Sequence, residues 1–399
     1  MRDLKDRLRA LDLIQAPDLR DRVRRLQPGP PPVEPVFRRL GVVLVAFAIA
    51  AGGIAFAIEA FRSTVPPAQS GTTIQNGRIA FSSGPDADIF VVWPDGTGLT
   101  RLVARHAGGQ TGGVQMAWSP DGQKLAFTDY RRDDSVGLYV MEADGGAPLD
   151  ISPSLQVADS PTWSPDGTQL AFGGCCDAGY EIYVIGADGS GLRRITDERD
   201  NGVDGGHMPA WSPDGTRIAC VVTRYDAGSQ TETSGILVMG ADGSHPEFVT
   251  HSSEIDESPI WSPDGTKIAF LRKTADGYVQ AFVASAAGAL TEPTRLSSVH
   301  ATSLPNWAPD SQEVLFSAQR GIYAVSIIGP EEEVLLEDAY ARGAVWSPDG
   351  SWIAFVRDDV GSGLVAIWLM RPDGTGQTEA VGGLEDAGGI EWQPSQVDV

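Results

Sequence analysis

The sequence predicts an all-β protein, a seven-bladed β-propeller of four-stranded antiparallel blades, preceded by one transmembrane α-helix. Three observations predict it: a recurring Trp-Ser-Pro-Asp-Gly string, two short apolar strand patterns after each copy, and one uninterrupted apolar stretch near the N-terminus. They divide the chain into a cytoplasmic basic amphipathic segment (1–39), a transmembrane helix (40–61), a linker (62–76) and the propeller (77–394).

The apolar stretch predicts a membrane anchor. Residues 40–58 contain no charged side chain, and as a helix they would span roughly 28 Å, close to the hydrocarbon thickness of a bilayer. Basic residues are concentrated before it, so the positive-inside rule places the N-terminus in the cytoplasm. We therefore expect a single-pass protein of the cell membrane with its propeller outside the cytoplasm. Ala55 and Ala57 resemble a signal-peptidase site, so cleavage stays an alternative.

The segment 1–39 has leucines at helical spacing and then a proline-rich run at residues 28–32. This pattern predicts two short amphipathic helices, which are either surface-lying helices that set topology or a docking site for a cytoplasmic partner. The segment loosely resembles the cytoplasmic segments of membrane-anchored anti-sigma factors. It contains no His or Cys, which excludes a zinc-binding version of that module.

The charge of the chain is divided unevenly. The net charge is −23, made up of +4 over residues 1–62 and −27 over the rest. Nucleic-acid binding needs a basic surface, so we expect no nucleic-acid partner. The chain also holds 47 Gly and 27 Pro, which many turns would explain.

The repeat predicts the blades. Its Trp residues follow one another at spacings of 39 to 50 residues, and a period of this length with four strands is typical of propeller blades. The Trp residues of the repeat are Trp118, Trp163, Trp211, Trp261, Trp307, Trp346 and Trp392. In each turn, Pro presets the backbone, Asp or Ser bonds to it, and Gly takes the left-handed conformation.

The order of the repeats predicts how the ring closes. The first blade begins at Gly77 with no Trp strand before it, and the last Trp strand, 389–392, has no blade after it. We therefore expect the C-terminal strand to complete the first blade.

The string W-S-P-D-G-x-x-[IL]-A-F, followed by [IL]-Y-V-M and A-D-G, resembles the TolB-like β-propeller repeat, a WD40-like family with a Pro-Asp motif. The resemblance covers 77–394 and implies an extracytoplasmic binding platform more often than an enzyme. Some propellers of this repeat family are lyases with a His-rich metal site. The five His residues here are scattered, so we expect no metal, no cofactor and no enzymatic activity.

The segments that lead into the Trp strands carry the candidate site. If those strands are innermost, acidic residues and one His surround one mouth of the central channel. The candidates are Asp159, Asp200, Asp204, His207, Glu254, Asp256 and Glu257. Such a mouth would favour a cationic ligand, a basic peptide or a divalent ion; the alternative is a set of solvated acidic loops.

The three cysteines allow more than one redox state. Cys175 and Cys176 are adjacent, and Cys220 lies on the matching strand of the next blade. A disulfide to Cys220, a vicinal bridge and free buried thiols are all compatible with this spacing, and the predicted compartment permits oxidation.

The sequence thus predicts a membrane-anchored propeller that binds or senses a protein, peptide or glycan, or acts as a scaffold in a bacterial cell envelope. Two other functions remain open. One is a lyase or hydrolase at the channel mouth, and the other is a transmembrane regulator whose N-terminal segment docks an anti-sigma-like partner.

Overall fold

A computed structural model describes most of the predicted propeller. The described residues are 76–104, 114–176, 179–197, 205–226, 231–250, 254–287, 292–329 and 332–394. All of them belong to one compact unit, Gly71–Val399. Within these ranges no helix is long and apolar enough to cross a membrane. The segments 1–39 and 40–61 lie outside them, so the anchor and the docking segment stay predictions.

The described residues form seven four-stranded antiparallel sheets. The innermost strand of each sheet ends at a Trp of the repeat. These strands are β4 (Met116–Trp118), β8 (Val157–Trp163), β12 (His207–Trp211), β16 (Ile255–Trp261), β20 (Asn306–Trp307), β24 (Ala341–Trp346) and β28 (Gly388–Trp392). The second strands follow the Pro-Asp turns, except that β1 has no such turn before it. They are β1 (Ile79–Ser83), β5 (Lys124–Tyr130), β9 (Gln169–Cys176), β13 (Arg217–Asp226), β17 (Lys267–Lys273), β21 (Glu313–Ala318) and β25 (Ile353–Asp358).

The two outer positions of each sheet are filled in chain order. The third strands are β2 (Asp88–Val92), β6 (Val136–Glu142), β10 (Gly179–Gly186), β14 (Thr231–Gly240), β18 (Val279–Ser285), β22 (Gly321–Ser326) and β26 (Val365–Met370). The outermost strands are β3 (Thr100–Val103), β7 (Leu149–Asp150), β11 (Arg193–Arg194), β15 (Glu247–Phe248), β19 (Thr294–Arg295), β23 (Glu332–Glu337) and β27 (Thr378–Leu384). The predicted seven-bladed all-β propeller is confirmed.

The apolar core lies between the sheets. Seven clusters of buried side chains each join two neighbouring sheets, and together they run around the ring. Successive residues of a strand face opposite sides. Ile79 and Phe81 therefore pack towards the sheet of β25, whereas Ala80 packs towards the sheet of β5. The Ile-Ala-Phe pattern thus supplies both faces of one blade.

The Trp residues link neighbouring blades. In four blades, the indole N–H of the repeated Trp donates to a backbone carbonyl oxygen of the preceding blade. The acceptor is the residue just before the Trp of that blade. The pairs are Trp163 to Ala117 at 2.9 Å, Trp261 to Ala210 at 3.0 Å, Trp307 to Ile260 at 3.1 Å and Trp392 to Val345 at 3.3 Å. The ring therefore depends on hydrogen bonds between blades as well as on apolar contact.

The Pro-Asp turns are held by a Ser and an Asp side chain. Ser262 Oγ donates to Asp264 Oδ1 at 2.6 Å and accepts the Lys267 amide at 3.0 Å. Gly265 has a φ of +71°, as the turn requires. The same pair of side-chain bonds occurs in the turns that begin at Ser119, Ser164, Ser212 and Ser347. These bonds give the turn aspartates a structural role.

The C-terminal strand completes the first blade. β28 pairs antiparallel with β1, with Trp392 opposite Ile79 and Glu391 opposite Ala80. The sheet order is β28-β1-β2-β3, so the two ends of the propeller share one sheet.

One turn glycine offers a prediction about blade packing. A Cβ on Gly374 would lie 2.0 Å from the Leu335 carbonyl oxygen, whereas a Cβ on Gly363 would have no described atom within 4 Å. Both residues have positive φ, +76° and +72°. We expect Gly363→Ala to cost about 1 kcal/mol for conformation alone, and Gly374→Ala to cost about 2–3 kcal/mol because a steric clash is added. Urea unfolding of both variants tests this, and equal losses would contradict the clash.

Candidate functional site: the central channel

The seven inner strands surround the axis of the propeller. Each contacts the inner strands of both neighbouring sheets, so the Trp strands line the channel, as the candidate site required. The residues immediately before the Trp residues are called the inner ring: Ala117, Thr162, Ala210, Ile260, Asn306, Val345 and Glu391.

Proline bends three inner strands into the channel. The ladders of β8, β12 and β16 shift register between Asp159 and Thr162, between His207 and Ala210, and between Glu257 and Ile260. The residue before the proline has a left-handed φ in each case: +49° at Ser160, +52° at Met208 and +56° at Ser258. Proline lacks the N–H that pairing within a sheet needs. At a bulge it can be part of a strand without removing a hydrogen bond of the ladder. The three bulged residues line a cavity on the axis of the propeller, which is called the axial cavity.

The axial cavity has a volume of about 610 Å³, within the range of ligand sites in proteins. Its wall is mainly apolar. Apolar side chains in it include Val114, Met116, Pro161, Met208, Pro209, Pro259, Ile260 and Leu304. The polar side chains in the wall include Gln115, Ser160, Thr162 and Ser258, and Glu391 is the one ionisable side chain among the described residues that line it.

Glu391 is an isolated carboxylate in this wall. It is accessible to solvent through the cavity, but the surrounding protein displaces bulk water and raises the pKa of its carboxyl to about 7. Among the described residues its carboxylate has no hydrogen-bond or ion-pair partner. Glu391 was not among the site residues predicted from the sequence. Aligning the repeats on their Trp residues would have identified it, because the other six members of the inner ring carry no ionisable side chain.

The raised pKa of Glu391 predicts how its ionisation affects stability. The folded-state pKa is about 7 against an ordinary 4.5, so folding is favoured below pH 4.5, and this contribution is lost as the pH rises through 7. The isosteric variant Glu391→Gln should match the wild type near pH 4.5 and exceed it at pH 8. Because solvent reaches the carboxylate, we expect a gain of only about 1 kcal/mol. Urea unfolding at both pH values measures it, and a constant difference would contradict it.

The predicted mouth residues fall into two groups. Asp159, His207 and Glu257 occupy the same position in β8, β12 and β16, four residues before the Trp. Glu257 is exposed and His207 is half-buried, while Asp159 accepts the hydroxyl of Tyr180. These three residues therefore hold equivalent positions on inner strands, and a ligand-binding role for them stays a prediction. Asp200 and Asp204 lie outside the described residues.

The second group belongs to an ion pair within one blade. Arg272 Nε and Nη2 donate to the two carboxylate oxygens of Asp256 at 2.5 and 2.8 Å. The exposed fraction of the Asp256 side chain is 0%. Glu254 Oε2 lies 3.6 Å from Arg272 Nε. Asp256 therefore neutralises Arg272 and does not face the channel mouth.

A cationic side chain, Arg342, shares the strand position of the predicted mouth residues. Arg342 lies four residues before Trp346, the position that Asp159 holds before Trp163. It forms ion pairs with Asp358 and Asp386. The ring of mouth residues is thus mixed in charge rather than uniformly acidic.

Two of the three cysteine side chains, those of Cys175 and Cys220, lie among the described residues. Cys220 is completely buried and its thiol is free in this structure, and burial raises the pKa of that thiol to about 12. The side chain of Cys176 lies outside the description, so an oxidised pair that includes it stays a prediction. In the described ranges no three His, Cys, Asp or Glu side chains are grouped to hold a metal ion.

Seven four-stranded sheets around an axial cavity define a β-propeller. Residues 201–381 match the family described as the TolB beta propeller domain. This match confirms the resemblance of the repeats to that family.

Three similar proteins illustrate the range of this fold. The Tol-Pal system protein TolB of Thioalkalivibrio sulfidiphilus is 36% identical over 86 residues, 22% of this chain and 20% of that protein. The structure of TolB from Acinetobacter baumannii has a TM-score of 0.50 at 17% identity, covering 80% of this chain and 67% of that one. An oligogalacturonate lyase in complex with manganese has a TM-score of 0.54 at 12% identity, covering 76% and 85%.

These similarities concern the fold of this chain and not its activity. At 17% and 12% identity the two structures show a shared fold alone. The chain spans about a third or less of the length of the curated relatives it matches. A TolB-like propeller suggests a binding or scaffold module, and similar folds also occur in a lyase and in peptidases.

Proposed function

We propose that this chain is a membrane-anchored, extracytoplasmic propeller that binds a polypeptide partner in the mouth of its central channel. The observation that carries the proposal is the axial cavity of about 610 Å³, with a mainly apolar wall and a small number of polar side chains. Such a lining is typical of binding sites, in which apolar contact supplies affinity and the polar groups set orientation. The TolB-like fold supports the choice of a protein or peptide as ligand.

Site-specific photo-crosslinking tests this proposal. A photoreactive amino acid replaces Leu304, which lines the cavity and has an exposed fraction of 57%. The matched control replaces Ile328, which is 80% exposed and does not line the cavity. In cells that express the full chain, we expect polypeptide adducts from position 304 and not from position 328. Equal labelling at both positions, or no adduct at 304, would contradict a channel ligand.

The membrane topology needs its own experiment. The prediction rests on the apolar stretch 40–58 and on the basic residues before it. Epitope tags at the two ends of the full chain should differ in spheroplasts: antibody should reach the C-terminal tag at once and the N-terminal tag only after lysis. An N-terminal tag that is accessible before lysis would overturn the orientation.

The alternative of a lyase or hydrolase at the channel mouth makes a different prediction. A metal-dependent lyase would need three His or carboxylate ligands around one ion, and addition of a divalent metal should then raise the melting temperature of the full chain. No observation on the described residues favours this alternative over a binding function.

A further inference from the structure

One blade departs from the other six at the inner ring. The residue before the Trp is Ala, Thr, Ala, Ile, Asn or Val in the other blades, and Glu only in β28. The ring thus accepts small, apolar or uncharged polar side chains in the same strand position. The fold itself does not require a carboxylate at position 391.

The two carboxylates that are buried among the described residues, Asp256 and Glu181, are paired. Asp256 is bound by Arg272, and the Glu181 carboxylate accepts the hydroxyl of Thr196 at 2.5 Å. Glu391 faces the cavity without any such partner among the described residues. A carboxylate removed from bulk water costs free energy unless a donor or a cation compensates it. Water reaches Glu391 through the cavity, so a ligand that displaces this water has to supply the compensating donor or cation.

We infer that Glu391 is the counter-ion for a cationic group on an apolar stem that enters the channel with the bound partner. This inference rests on the proposed function and narrows it to a class of ligand. Lys and Arg side chains have this chemistry, since each carries its charge at the end of a flexible methylene stem.

The wall of the cavity suits both parts of such a group. Met116, Met208, Ile260 and Leu304 offer apolar contact to a methylene stem. Among the described residues of the wall, the Glu391 carboxylate is the one charged group with which the cation can pair, and Thr162 adds an uncharged polar group. A cation that pairs with the carboxylate also favours its ionised form, so binding should lower the pKa of Glu391 from about 7. A free diamine would present the same chemistry as a Lys side chain.

Peptide selection on two variants tests the inference. A library of displayed linear peptides is selected on the full-length protein in nanodiscs, in parallel for the wild type and Glu391→Gln. We expect wild-type selection to enrich peptides with a Lys or Arg at one position. Their affinity should fall at least tenfold on Glu391→Gln, and also when norleucine replaces that Lys. Glu385→Gln is the matched control, because it removes the same charge from an exposed glutamate just before β28, and it should leave affinity unchanged.

The outcomes separate this inference from the proposed function. Peptides that bind the wild type and Glu391→Gln equally, but are blocked by Leu304→Trp in the cavity wall, would overturn the role of Glu391 and retain the channel site. Peptides that Leu304→Trp does not affect would count against both. If no peptide is enriched, cadaverine is the second probe. A rise in melting temperature with cadaverine that Glu391→Gln abolishes supports a free amine as the ligand, and no rise overturns the inference.

Discussion

A chain that ends at Asp386, and so lacks β28, is expected to lose the cooperative unfolding transition of the propeller. β28 supplies the innermost strand of the sheet whose other three strands come from the start of the propeller. Without it, β1 loses its ladder to residues 388–392, and the core cluster that contains the completely buried Ile79 and Phe81 loses Trp392. Circular dichroism during heating and resistance to protease measure this. A wild-type melting curve for the truncated chain would contradict the closure.

A single substitution in the same strand gives a graded version of this result. Trp392 is 6% exposed and packs between the last blade and the first. Trp392→Ala should cost about 3–5 kcal/mol, because a large buried side chain is removed and a cavity remains. Trp93→Ala is the matched control, since Trp93 is 44% exposed, and we expect a loss below about 1 kcal/mol. Similar losses in the two variants would show that closure does not depend on this Trp.

The blades could be predicted because their signals are local. The turn that begins at Ser262 needs only Ser262, Asp264 and Gly265, which are neighbours in the chain, and its hydrogen bonds are the ones that such residues form in turns. The closure by β28 could also be predicted, since it follows from counting strands that lack a partner. No contact between distant residues had to be known for either.

The site was harder to predict because its residues are defined by register across strands. Asp256 and Glu257 are adjacent in the sequence, and both were assigned to the channel mouth. In β16 they face opposite sides, so Asp256 meets Arg272 on β17 while Glu257 stays exposed. Spacing alone did not show that Arg272 lies opposite Asp256. Glu391 was missed because it is a single carboxylate next to a repeated Trp and belongs to no cluster of polar residues in the sequence.

Asp256→Ala is expected to destabilise the propeller by about 3 kcal/mol. The variant leaves the guanidinium of Arg272 buried, with a side-chain exposure of 8% and without its bidentate partner. Breaking a buried pair from one side costs about 3–5 kcal/mol. We expect the lower end of that range because Glu254, 3.6 Å from Arg272 Nε, retains part of the attraction. Urea unfolding at neutral pH measures the loss, and Glu142→Ala, in the exposed pair with Lys124, is the control and should cost less than about 1 kcal/mol.

The double variant Asp256→Leu/Arg272→Met separates a structural role for Asp256 from a ligand-binding role. Replacing both charges removes the uncompensated guanidinium, so the double variant should be more stable than Asp256→Ala even though two residues are changed. The aliphatic part of Met can also retain packing against Phe270 and Phe282, whose rings lie 5.4 and 5.0 Å from the guanidinium carbon. If Asp256 served a ligand instead, Asp256→Ala would keep wild-type stability and lose binding. A double variant less stable than the single one would show that the pair itself stabilises this blade beyond mutual neutralisation.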